Sequence, residues 1–162
     1  MPAAMSKLAT TTLASGSTTV TFSNIPSSYR DLRIVITASA DNYANFWLAF
    51  NGDNGFNYNY RNAYTTSSTG AVINTDNTSV PGLQENGSFY TTKTILSMDI
   101  FDYAQTNKHK SYLSRFDNAD SVTNMISGRW ASTAAITSIT FQVNSPRVFA
   151  ATSTFSLYGI VS

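Results

Sequence analysis

The sequence predicts an all-β fold, an antiparallel β-sandwich of jelly-roll-like character with about eight strands. Three observations lead there. Apolar residues recur with a period of two, clusters of turn-forming residues separate the alternating runs, and no segment carries the 3.6-residue apolar stripe of a long amphipathic helix.

Taken in order, residues 1–14 read as an extended N-terminal arm ahead of the first clear strand, TTVTF, which sets Val20 and Phe22 on one face. In RDLRIVITASA, Leu32, Ile34, Ile36, Ala38 and Ala40 share a face, and Arg33, Val35, Thr37 and Ser39 share the other. Phe46, Leu48 and Phe50 lie opposite Trp47 and Ala49. Residues 62–92 are rich in Ser, Thr and Asn, hold Pro81 and few large apolar side chains, and read as a long loop excursion. Leu96, Met98 and Ile100 align in the next run, and DIFDYAQTNKHKSYLSRF reads as a hairpin with QTNK near its tip. NMISGRW is a further strand, in which Gly128 marks a bulge or a close backbone approach. Ile139, Phe141 and Val143 align, and STFSLYGI closes the chain with apolar residues on both faces. The segments SNIPSSY, NGDNG, TDNTSVPG, QTNK and NSPR supply the turns.

A chain of 162 residues fits one domain, spanning 1–162, and folding buries roughly 70% of the unfolded surface at this size. With no cysteine, disulfides and thiolate metal sites are excluded. Only 12% of residues are charged, against about 25% in typical domains, and the net charge is +1. The basic residues are scattered, so no nucleic-acid partner is expected. The tightest group, Lys108-His109-Lys110, reads as a solvated turn. MPAAMSKLAT lacks the apolar core of a signal peptide, and no apolar run approaches the ~20 residues that span a bilayer, so no membrane partner is expected.

The inventory for catalysis is thin. The single histidine, His109, is flanked by lysines and has no nearby carboxylate to orient it, and no GxSxG elbow occurs. A glycosidase needs two carboxylates across a cleft. Asp99 and Asp102 fall on opposite faces of a strand, and Asp102 is expected to anchor its hairpin turn by accepting backbone N–H bonds. Phosphate-binding and dinucleotide fingerprints are missing. No catalytic residue, cofactor or metal is assigned, and the chain is not expected to be an enzyme.

The stretch FNGDNGFNYNYR raises a sharper question, because NGDNG resembles the start of a calcium loop. Counting from Asp53, position twelve is Tyr64 rather than a bidentate Glu, and no acid follows before Asp76. A turn using the Asn-Gly tolerance of positive φ accounts for it better. Beyond it, Phe56, Tyr58, Tyr60 and Tyr64 stand at even spacing, with Asn57, Asn59 and Arg61 on the alternate face. Such rings stack on sugars, fill a subunit interface or cap the core. The candidate interface or glycan contacts are Trp47, Tyr58, Tyr60, Arg61 and Tyr64.

Five segments together, TTVTFSNIPSSYRDLRIV, LAFNGDNGFNYNYR, DIFDYAQTNKHKSYLSRFD, GRWASTAAITSITF and STFSLYGI, resemble a recurrent β-sandwich domain of tailed-bacteriophage virion structural proteins. The resemblance runs from about Leu13 to Ile160, and residues 65–92 depart from it. It implies a virion component without catalytic residues, assembled in the cytoplasm of a bacterial host, for which the sequons at Asn77 and Asn86 carry no meaning. A lone domain with neither coiled coil nor repetitive shaft then points to a capsid decoration, or cement, protein that clamps major capsid protein subunits. The N-terminal arm would lie across the capsid, and a homotrimer is the expected assembly. The alternative is a tail-fibre or receptor-binding module that grips host glycans.

Overall fold

The computed structural model of the chain describes residues 4–66, 73–80, 83–118 and 122–161. These form β1 (Met5–Thr12), β2 (Thr19–Phe22), β3 (Asp31–Ala38), β4 (Ala44–Phe50), β5 (Tyr58–Thr66), β6 (Ile73–Val80), β7 (Leu83–Phe89), β8 (Thr94–Phe101), β9 (Lys110–Asn118), β10 (Val122–Trp130), β11 (Ile139–Val143) and β12 (Thr154–Ile160). An eight-stranded sheet runs β1-β12-β3-β8-β9-β10-β5-β6, and a four-stranded sheet runs β2-β11-β4-β7. Neighbouring strands pair antiparallel. From β2 to β5 the chain changes sheet at every connection, and it does so again from β10 to β12.

Alternation decides which side of each strand enters the space between the sheets. On β3, Leu32, Ile34, Ile36 and Ala38 are buried, and the register sets Ile34 beside Met98 of β8 and Leu157 of β12. The facing sheet contributes Phe46, Leu48 and Phe50 of β4 and Ile139, Phe141 and Val143 of β11. Rings bridge the two layers. Phe89 of β7 meets Phe116 of β9 edge-on at 5.6 Å, and Phe141 of β11 meets Phe155 of β12 at 5.5 Å. Phe149 closes on Phe155 at 5.0 Å and on Phe89 at 5.6 Å. Such pairs add about 0.5–1.5 kcal/mol each beyond the area they bury.

The sandwich is as the alternation demands, but three expectations need correction. Among the described residues twelve strands stand where about eight were expected. Residues 5–12 are not a free arm, because β1 pairs along β12 from Met5↔Ile160 to Thr12↔Thr154 at the edge of the large sheet. Residues 62–92 are not a loop excursion either, since β5 runs on to Thr66 and β6 and β7 follow as sheet-forming strands. Pro81, together with residues 67–72, 82 and 119–121, lies outside the described residues.

Gly128 is the close approach its position in β10 implied. The Tyr112 ring lies over it, so a Cβ would stand 2.0 Å from the Tyr112 hydroxyl and 2.2 Å from the ring. Tyr112 is the cross-strand partner of Gly128, and a glycine is what lets the ring lie flat on the neighbouring strand. Gly128→Ala is expected to cost about 1–3 kcal/mol in urea denaturation through overpacking. In a Tyr112→Ala background the same change becomes close to neutral. Costs that simply add would show that the ring is not what holds the position to glycine.

Candidate functional site

The NGDNG loop is where the sequence concentrated its unusual residues, and the structure turns them inward. Asn51 and Gly52 have φ of 53° and 69°, the left-handed conformation that Asn and Gly tolerate, so the turn reading holds. The Asn51 side chain then staples the loop to the segment after β10. Its Nδ2 donates to the Ala135 carbonyl at 2.8 Å, and its Oδ1 accepts the Thr137 and Ser138 amides at 2.8 and 3.1 Å.

Asp53 is the hub beside it. Its carboxylate accepts Trp130 Nε1 at 2.7 Å, the Gly55 amide at 2.8 Å and Asn57 Nδ2 at 2.9 Å. Its backbone carbonyl accepts the Tyr58 hydroxyl at 3.0 Å, and that hydroxyl in turn accepts the Phe50 amide at 3.0 Å. Burial alone would push the Asp53 carboxyl up, but the donors from Trp130, Gly55 and Asn57 outweigh it and hold the group below its ordinary value. Burial pushes the Tyr58 hydroxyl well above its ordinary range. This is a latch between β4, β5 and β10.

The same inward use of charge recurs. Asp31, almost fully buried, accepts the Asp102 amide at 2.8 Å and Arg30 Nε at 2.7 Å. The hairpin turn is thus anchored by Asp31, and the Asp102 side chain pairs instead with Lys108 at 2.6 Å. Asp102 sits past the end of β8 at φ 49°, so the opposite-face argument for Asp99 and Asp102 does not apply. Asp99 takes a two-pronged bond from Arg33 at 2.7 and 2.8 Å, Asp117 pairs with Arg115 at 3.2 Å, and Asp41 accepts the Val148 amide at 3.1 Å. The carboxylates of Asp31, Asp41, Asp53, Asp99, Asp102 and Asp117 therefore each have an internal partner, and among the described residues no group of three potential metal-ligating side chains forms.

Lys110 overturns the reading of Lys108-His109-Lys110 as a wholly solvated turn. Lys108 and His109 are exposed, but Lys110 is fully buried. Its ammonium donates to the carbonyls of Gln105, Lys108 and Thr133 at 2.5, 3.0 and 3.1 Å. Burial, with a smaller push from the Lys108 charge, lowers its proton affinity. The ammonium closes the β8–β9 turn onto the segment after β10, where burying one charge satisfies three carbonyls.

The residues singled out as contacts are scattered by the fold. Tyr58 and Tyr60 are buried in the core and present no ring face to a ligand, which corrects their assignment as contacts. Tyr64 is half-buried on the same inward row. Arg61 is exposed on the outer face of the large sheet, in register with Ser127 and Asp76. Trp47 is half-buried on the outer face of the small sheet, beside Gln142 and Gln84.

What the sequence reading missed is the outer face of β8, β9 and β10. Of the seven large apolar side chains exposed among the described residues, four stand here: Ile95 (56% exposed), Met125 (54%), Leu113 (43%) and Phe101 (39%). The registers Phe101↔Ser111, Leu113↔Ser127 and Arg115↔Met125 set Phe101, Leu113 and Met125 along one diagonal, with Ile95 across Arg115 from it. A depression of about 470 Å³ lies beside them, lined by Lys93, Ile95, Ser97, Arg115 and Asp117. The signal was present in the sequence as apolar residues in both parity sets of three consecutive strands.

No protein-family model matches the chain, and no curated protein does. Among solved structures, a mutant of the alginate lyase Aly36B in complex with alginate tetrasaccharide is similar at 11% identity, covering 88% of this chain and 79% of that chain with a TM-score of 0.25. At that level it bears on neither fold nor function.

Asp53→Asn is expected to destabilise the protein by about 1–3 kcal/mol near neutral pH, because Trp130 and the loop amides lose a charged acceptor. A carboxyl held low in the folded state contributes stability that is complete above its ordinary value and lost as the pH falls through the folded value. The wild-type and variant stabilities should therefore converge as the pH falls from about 5 to below the ordinary carboxyl value. Parallel curves over that range would mean that the carboxylate is not the latch.

Proposed function

We propose that the chain is a structural protein of a tailed-bacteriophage virion, a capsid decoration protein that binds and stabilises neighbouring capsid subunits as a homotrimer. The observation that carries this reading is the outer face of β8–β10. Ile95, Phe101, Leu113 and Met125 leave apolar area open to solvent on a rigid sheet, where scattered single side chains would be ordinary but a cluster marks a contact surface. The Asp31 and Asp53 carboxylates and the Lys110 ammonium are bound into the scaffold, which suits adhesion better than acid–base work. The sequence segments that resemble virion β-sandwich domains supply the setting. On a symmetric shell, many weak copies of one contact add to a firm lattice.

A second reading, adhesion to host glycans from a tail fibre, draws on Tyr43. That ring is half-exposed and meets Tyr90 edge-on at 5.3 Å, at the end of the sandwich next to the Asp41 turn. Quantitative mass spectrometry of purified virions separates the readings. The decoration reading expects hundreds of copies per particle, and the protein added to heads that lack it should raise their melting temperature. A handful of copies, with glycan binding lost on Tyr43→Ala, would favour the fibre. A particle without the protein contradicts both.

A further inference from the structure

Charge on the outer face identifies what seats there. Arg33, Lys93, Arg115 and Arg129 stand on or border β8–β10, against the carboxylates of Asp99 and Asp117. Arg33 is held by Asp99 and Arg115 by Asp117, whereas Arg129, among the described residues, reaches the amide oxygen of Asn59 at 3.4 Å and no carboxylate. The face is therefore apolar at its centre and cationic in excess. The depression repeats this at small scale, with Ile95 and Ser97 between the exposed Lys93 and the Arg115–Asp117 pair. A second copy of the chain is a poor occupant. It would bring the same cationic excess, and the carboxylates of Asp31, Asp41, Asp53, Asp99, Asp102 and Asp117 are already engaged inside its own fold.

We propose that the outer face of β8–β10 docks a different protein whose surface sets Asp or Glu side chains around apolar residues, with one carboxylate entering the depression between Lys93 and Arg115. This rests on the virion reading and names the chemistry of the partner at that face. The apolar centre supplies adhesion. The unneutralised cations select the partner and disfavour stacking of the protein on itself.

A carbodiimide forms an amide only between an amine and a carboxylate in direct contact, so treating intact virions with one and mapping the links of Lys93 reads the proposal directly. A link from Lys93 to an Asp or Glu of another virion protein is the expected result. Links only to other copies of this chain, or none at Lys93 in particles that carry the protein, overturn the inference and leave the virion reading standing. Particles without the protein overturn both. The double variant Lys93→Glu/Arg115→Glu changes exposed side chains and should keep the wild-type melting temperature. Its binding to heads that lack the protein should be at least about tenfold weaker, and wild-type binding should weaken as salt rises. Unchanged binding by the variant, or wild-type binding indifferent to salt, overturns the inference.

Discussion

A layer of aromatic rings joins the two sheets and holds them face to face. Phe141 and Phe155, Phe89 and Phe116, and Phe149 between them tie the four-stranded sheet to the eight-stranded one. Those rings reach across because the period-two pattern gives each strand one apolar side, and a shift of one residue in register would turn that side to solvent. The strand order, the latch at Asp53 and the shape of the outer face all inherit their positions from this packing.

Charge in this protein is sparse and is spent on fastening connections. Asp31 holds the turn after β8, Asp53 holds the turn after β4, and the Lys110 ammonium gathers three carbonyls where two segments cross. Each is a buried or half-buried polar group with its partners supplied by backbone or by a neighbouring ring, which is how such groups are tolerated inside a fold. The outer face of β8–β10 inverts that economy: apolar groups are outside, and cations exceed carboxylates.

The fold was legible where alternation was strong. On β3, β4, β8 and β11 the parity that carries the run of apolar residues, with Ile34, Leu48, Met98 and Phe141, is the one the structure buries. β1 was illegible because an edge strand half-buried along its length carries only weak alternation, and Met-Ser-Lys-Leu-Ala-Thr-Thr-Thr reads equally well as an arm. β6 and β7 hide in Ser, Thr and Asn, residue types that serve turns and strands alike. Lys110 was misplaced because a lysine between turn residues is usually solvated, and only the tertiary crossing of two segments brings the carbonyls to it. Of the candidate contacts, Tyr58 and Tyr60 followed the ordinary rule for rings on the inward parity. The outer face is hidden in the linear sequence because Ile95, Leu113 and Met125 lie on three different strands and meet only when those strands are laid in register.

Adhesion through the outer face of β8–β10, as proposed, can be seen or refuted in the particle itself. The decisive measurement is a cryo-electron microscopy reconstruction of the virion at side-chain detail. Leu113, Met125 and Phe101 should be covered by another virion protein, with the small sheet turned away from that contact. A particle in which the same three side chains face solvent while the protein is held by its small sheet or its edge strands would contradict it.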